Sequence, residues 1–302
     1  MEGISSVDFQ CMMFVDACFL VQFMRMQSNP QKVVIDQSLH ASLSPNRTDI
    51  LHDVMLLENQ LPWALVQRVK EFLPATTSFL PDLISTLRGC LQDHKPDAKH
   101  RVPVDWAEGY KPPHLLGLLR YYIAGRRASW NPQVEDDQSH GHRNKGKEGH
   151  KPKTSNKRSV SQSAVELAKI GIKLIPTKKT TELIHMGLNA EAGILHGELS
   201  LPPLSLNLDR ASYLVNMAAL EMCTVPSFGA ARDEDSVVCS YLLLLAMLAY
   251  REEDVHELRE RGLLQGGGGL TNEDALRFFT SLQCLRLGKS YIRIMDHIES
   301  FK

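Results

Sequence analysis

The chain has 302 residues, a formal net charge of -1 and 43% hydrophobic residues, enough apolar material for a sizeable core. Near-neutral charge gives no electrostatic pull toward nucleic acid or an anionic lipid surface. Six cysteines, Cys11, Cys18, Cys90, Cys223, Cys239 and Cys284, stand apart without a C-x-x-C pair, which fits buried, reduced thiols better than a disulfide framework or a zinc site.

In chain order, Ser5 or Ser6 caps a helix running to about Met26. Phe9, Met12, Met13, Asp16, Phe19, Leu20 and Phe23 recur in it at three- and four-residue spacing. It is apolar nearly all round, which predicts burial on several sides and a partner for the Asp16 carboxylate. The acidic start does not fit a signal peptide. The apolar runs Cys11–Met24 and Val237–Tyr250 fall short of the roughly 20 residues of a spanning helix. The chain thus reads as soluble and intracellular.

Gln27–Thr48 is polar and reads as a loop. Asp49 caps a short helix that ends near Glu58-Asn59-Gln60. Pro62 disfavours helix at Leu61 and suits the first position of the next one, in which Leu65, Val66, Val69, Phe72 and Leu73 share a side. The chain turns a corner here, where Asn, Gln and Glu side chains offer partners to the unpaired ends of both helices. Further helices are expected at Phe79–Leu91 and His114–Ile123.

From Asn131 to Arg158 apolar residues nearly vanish. Between Asp136 and Arg158, five Lys and two Arg against two Asp and one Glu give +4. This composition reads as a disordered basic linker. The chain therefore divides into a helical part at 1–130, the linker at 131–158 and a second part at 159–302.

A helix at Ser161–Lys169 stops at Gly171. Ile172–Pro176 alternates like a strand, with weaker candidates at Leu183–Met186, Gly193–Leu201 and Leu204–Leu208. Helices follow at Arg210–Cys223, Glu234–Tyr250 and Glu252–Arg261, the last stopped by Gly262. Thr271-x-x-Asp274 opens another helix as a capping box, and a final amphipathic helix carries Tyr291, Ile292, Met295, Ile298 and Phe301. The fold class is mainly α: a multi-helix globular domain with a small sheet of two to four short strands in the C-terminal half.

Several of these strings resemble the plant "domain of unknown function 247" family. The family motif "LLLLENQLPFFVL" is matched by Val54-Met55-Leu56-Leu57-Glu58-Asn59-Gln60-Leu61-Pro62-Trp63-Ala64-Leu65-Val66. The "M-DGCFI-EL" string is similar to residues 13–23, "HLLDLLR" to His114–Arg120, and "A-EL-EAGIKF" to Ala164–Leu174. Counterparts of "G-L-IPPL-I", "LIAFEQC" and "EDV-LL---GII" follow at Gly193–Leu206, Ala218–Cys223 and Glu253–Leu264. Seven blocks in order cover most of the chain. Two departures are Ala17 for the Gly of "DGC" and Gly117 for the Asp of "HLLDLLR".

The resemblance implies a single family domain and marks Asp16, Glu58, Asn59, Gln60, Pro62 and Glu221 as structural motif residues. Family members usually begin with a basic "VP--LR" segment and a "P-IVSIGPYHHG" string and end in a membrane-spanning helix. The expectation is thus a domain shortened at both ends, without membrane insertion of its own, in a family whose typical members are membrane-anchored. The family's function is mostly unknown, and some grass members are tied to self-incompatibility.

No G-x-S-x-G, H-E-x-x-H, phosphate-loop or kinase signature is present, and Gly266–Gly269 reads as a linker. His140, His142 and His150 lack cysteine partners, and the Lys145–Arg158 segment reads as solvated sooner than as a nucleic-acid contact. No catalytic residue, cofactor or metal is therefore assigned. The expected role is non-enzymatic, through an unknown protein partner at the exposed side. An enzyme using Asp16 and Glu58 as a buried carboxylate pair is one alternative, and a non-functional truncated paralogue is another.

Overall fold

A computed structural model of the chain describes residues 4–27, 36–73, 80–81, 83–84, 110–125, 162–177, 182–190, 197–266 and 270–300. Among them the architecture is mainly α, with short strands confined to the C-terminal half. The linker at 131–158, with His140, His142 and His150, lies outside the described residues, as does Cys90.

Helix α1 spans Ser6–Met26. Ser5 is its cap, accepting from the Asp8 amide at 3.1 Å. The expected burial on several sides holds only for the second half, where Ala17, Leu20, Val21, Phe23 and Met24 are buried. Residues 4–12 are all exposed, and so is Asp16. The buried side meets α4, Trp63–Glu71, whose Trp63, Val66 and Val69 point inward. The helix is also longer than the apolar run suggested. Its 21 residues are long and apolar enough to cross a membrane by length and composition, a test that core helices also pass.

Part of the expected loop at Gln27–Thr48 is helical: α2 covers Gln37–Leu43. Asp36 caps it by accepting from the Ser38 and Leu39 amides at 2.8 and 3.1 Å. None of its residues is buried, and Leu39 and Leu43 alone mark its inner side, too short a stripe to stand out in a polar stretch. Helix α3, Arg47–Val54, starts before Asp49, with Asn46 at its N-cap position. A 3-10 turn at Leu57–Asn59 leads to Pro62, which occupies the N-cap position of α4, one place earlier than expected. Phe72 follows α4 and is 81% exposed, not part of its buried side. Of the helix expected at Phe79–Leu91, the described Leu80, Leu83 and Ile84 are helical and buried.

Helix α5, Leu115–Ala124, is buried along nearly its whole length. Helix α6, Ala164–Lys169, ends before Gly171, whose φ of 87° suits a residue without a Cβ. Strand β1, Ile172–Pro176, runs parallel to β3, Gly197–Leu201, and β3 pairs antiparallel with β2, Gly187–Ala190. The Leu183–Met186 candidate is instead a 3-10 turn just before β2. Strand β4, Leu204–Ser205, joins no part of that sheet. It pairs in parallel with β5, Leu264–Gln265, through two residues each.

Helix α7 spans Leu208–Thr224, and α8 spans Val237–Leu248 after a 3-10 turn at Asp233–Ser236. Every residue of α8 except Met247 is buried, as expected for a helix that is apolar all round. It packs on α7, on α10, Asn272–Ser281, and on α11, Lys289–Ser300. Between them α9 spans Glu252–Glu260 and stops before Gly262, φ 73°. A Cβ at Gly288 would overlap Ser240 Oγ and lie 2.5 Å from the Ser236 carbonyl, so only glycine lets the start of α11 sit this close to α8.

Candidate functional site

Helix ends leave backbone amides and carbonyls without intrahelical partners, and a buried one costs free energy unless paired. Three polar side chains fasten such ends, Gln60 and Asp254 at two helices each and Glu221 at one helix and an arginine. Gln60 is the first. Its Nε2 donates to the carbonyls of Val54, at 2.9 Å, and Leu56, at 2.7 Å, closing the end of α3. Its Oε1 accepts from the Leu116 amide at 2.9 Å, in the first turn of α5. Only an amide side chain can donate and accept in this way. The expected polar corner is there, but its second arm reaches α5 across 56 positions of sequence and not the adjacent α4.

The neighbours of Gln60 do less. Asn59 is exposed and donates to the Asp53 carbonyl at 3.1 Å. Glu58 is exposed, as is Pro62. The amide that Pro62 leaves to Trp63 donates to the Pro113 carbonyl at 2.8 Å, and Asn216 of α7 accepts from the Leu57 amide at 2.8 Å. The corner thus holds α3, α4, α5 and α7 together.

Glu221 is the second bracket. Its side chain is fully buried on α7. Arg120 of α5 donates to Oε1 through Nε, at 3.0 Å, and Nη2, at 2.7 Å. The Val238 amide reaches the same oxygen at 3.0 Å, and the Cys239 amide reaches Oε2 at 2.9 Å. Both amides belong to the first turn of α8, where the helix dipole favours a negative charge. Burial pushes the Glu221 carboxyl up, while Arg120 and the two amides pull it back down. Four donors converge on it, an arrangement that fits the carboxylate. Both oxygens are engaged and neither faces solvent, so the group has no free side for a substrate. Beside it, burial pushes the Cys239 thiol up, which keeps it neutral and unreactive.

Asp254 is the third bracket, and the sequence pattern did not single it out. It is 2% exposed. Oδ2 accepts from the Arg251 amide at 3.0 Å, capping α9, and Oδ1 accepts from the Val165 amide at 3.0 Å, capping α6. The first bond is readable as a cap three residues on. The second depends on tertiary packing and leaves no local signal. His114 does a smaller version of this work. Its Nδ1 accepts from the Gly117 amide at 3.1 Å at the start of α5, and burial pushes its pKa below 6.5.

The two acids considered for catalysis do not form a buried pair. Asp16 and Glu58 are both exposed. Cys11, Cys223 and Cys284 are exposed too, and Cys18 is half-buried, so buried thiols are the exception among the described cysteines. Those cysteines lie where their helices face solvent, which apolar patterning alone does not disclose. No group of three or more His, Cys, Asp or Glu able to hold a metal occurs among the described residues.

What stands open is apolar. At about 100° per residue, Val7, Cys11, Phe14, Val15 and Cys18 share one side of α1, turned away from the Ala17, Leu20 and Met24 face, and Ile4 precedes the helix. Ile4 and Val7 are each 67% exposed, Val15 63% and Phe14 47%. Phe9, Met12 and Phe19 extend exposed apolar surface to other sides.

A family model described as DUF247, plant protein of unknown function, matches residues 1–302. The chain belongs to this family. A DUF247 chain of this length also resembles the UPF0481 protein At3g47200 of Arabidopsis thaliana, at 24% identity over 291 residues, 91% of this chain and 54% of the relative. It therefore spans about half the length of that curated relative. No solved structure matches. In this DUF247 member the strings that carry the resemblance contain the brackets: Gln60, Glu221, Asp254, and Arg120 with His114. The departure at Gly117 has a local cause, because a Cβ there would lie 2.7 Å from the Pro113 ring.

Proposed function

We propose that this DUF247 chain acts by binding another protein through the uncovered apolar side of α1, and not as a catalyst. The supporting observation is that exposed side, Val7, Phe14 and Val15, on a helix whose other end is anchored in the core. Contiguous exposed apolar surface is characteristic of interaction sites. The polar brackets also fit this reading, because the buried Glu221 and Asp254 and the half-buried Gln60 spend their hydrogen-bonding capacity on helix ends and Arg120. The enzyme alternative needs Asp16 and Glu58 as a buried pair, and both face solvent. A recognition role is also the kind that the resemblance implies for some grass members.

Proximity labelling in plant cells tests this. The wild-type chain should label a discrete set of neighbours. Val7→Asp combined with Phe14→Asp should remove that set while leaving the melting temperature unchanged. An unchanged set of neighbours would overturn the reading.

A further inference from the structure

We infer that residues 225–236, the connection between α7 and α8, form an ionic strap that opens locally when charge is screened, and that its opening brings the Phe228 ring out of the core. This goes beyond the docking reading and rests on other residues. The connection leads into the buried α8, yet of its own residues only Phe228 and Ser236 are buried. Apolar burial holds it at the Phe228 ring, 4% exposed, with Val225 half-buried at its start. The remaining ties come from one short stretch of sequence. Arg286 precedes α11, and Lys289 and Arg293 lie one turn apart in its first half. Arg286 Nη1 donates to the Val225 carbonyl at 3.0 Å, and the guanidinium lies 5.3 Å from the centre of the Phe228 ring. Lys289 Nζ donates to the Ala231 carbonyl at 3.0 Å. Arg293 Nη1 donates to the Asp233 carboxylate, which Lys289 also approaches at 4.0 Å.

Three cations thus hold the start, the middle and the end of the connection. Arg286 and Lys289 are exposed and Arg293 is half-buried, so water and salt compete for these ties. The helix that follows is fastened differently. Glu221 holds the first turn of α8 from a fully buried side chain, where screening is weak. Segments with few buried apolar contacts and exposed hydrogen bonds open before the fold as a whole. Salt therefore frees the connection while α7 and α8 stay packed. The opening also reaches α5. Arg120 donates through Nη2 to the Glu234 carbonyl, inside the connection, as well as to Glu221. A released strap leaves Arg120 with Glu221 alone. The strap is a two-state element: closed, it hides an aromatic ring and ties α11 to Arg120, and open, it presents that ring on an exposed segment.

Chymotrypsin digestion of the full folded chain, read bond by bond by mass spectrometry, is the test. When opening is fast relative to cleavage, the rate follows the open population. A free peptide of residues 222–234 corrects for the protease's own response to salt. Cleavage after Phe228 should be slow at low salt. It should rise about tenfold between about 0.01 M and about 1 M sodium chloride, as the screening length falls from about 30 to about 3 Å. Arg286→Ala with Lys289→Ala should raise it about tenfold at low salt and flatten its salt dependence. Cleavage after Phe279, which is fully buried in α10, reports global unfolding and should stay slow throughout. If the double variant fails to melt cooperatively, Arg286→Gln serves instead, at an exposed position. Cleavage after Phe228 that ignores both salt and the variants overturns the inference. So does cleavage at the free-peptide rate in low salt, or cleavage that appears only together with that after Phe279.

Discussion

Helices α1 and α8 are both largely apolar and meet opposite fates. Helix α8 holds no charged residue, while α1 carries Asp8, Asp16 and Arg25 among its apolar side chains. In α8, eleven of twelve residues are buried, while α1 buries five of 21. The difference lies in what surrounds them. Helix α8 is enclosed by α7, α10 and α11, and its first turn is fastened by Glu221. Among the described residues, helix α1 meets chiefly α4, along its second half. Apolar composition says that a helix needs cover. It does not say whether the same chain provides it.

Unfastening α8 is the most damaging way to break this contrast. Glu221→Ala leaves the partly buried Arg120 without its carboxylate and uncovers two amides. Breaking a buried pair in this way costs roughly 3–5 kcal/mol. Denaturant unfolding should show a loss of that order, and a loss below about 1 kcal/mol would mean that the bracket contributes little. Gln60→Ala comes next. It opens the end of α3 and the start of α5 together, at about 1–3 kcal/mol, and chemical denaturation again reads it.

His114 gives a smaller, pH-dependent effect. Its pKa is lowered by burial, and its ring accepts a hydrogen bond only when Nδ1 is unprotonated. A depressed folded-state value means that this stability is present above the unfolded value of 6.5 and is lost as pH falls through the folded one. Melting temperature should therefore decline on acidification, and less steeply in His114→Asn, which can cap without titrating in this range. An identical slope in the variant would remove His114 from the account. Smallest of all is Val7→Asp. On the uncovered side of α1 it should shift stability by no more than about 0.5 kcal/mol in dilute solution, because it breaks no packed contact.

Much of the fold was legible wherever the signal was local. Ser5 and Thr271 announce helix starts, Gly171 and Gly262 announce stops, and the alternation of Ile172–Pro176 marks β1. What escaped is non-local or lacks a stripe. Helix α2 buries nothing, and Leu39 and Leu43 are too short a stripe to stand out. Strand β5 is two residues long and exists only because β4 lies beside it. The corner at Gln60 was readable as a bracket, but its reach to Leu116 was not, since no spacing rule links positions 56 residues apart. Asp16 was misjudged for the same reason. Its apolar neighbours suggested burial, and burial depends on elements that its own helix does not specify.

Native-state hydrogen exchange, resolved by residue in dilute solution, tests the contrast most directly. Amides in the middle of α8 should exchange only through global unfolding, and those of Cys11–Val15 in α1 much faster, through local opening of the uncovered half. Protection of Cys11–Val15 equal to that of α8, at concentrations where the chain is a single copy, would contradict the account.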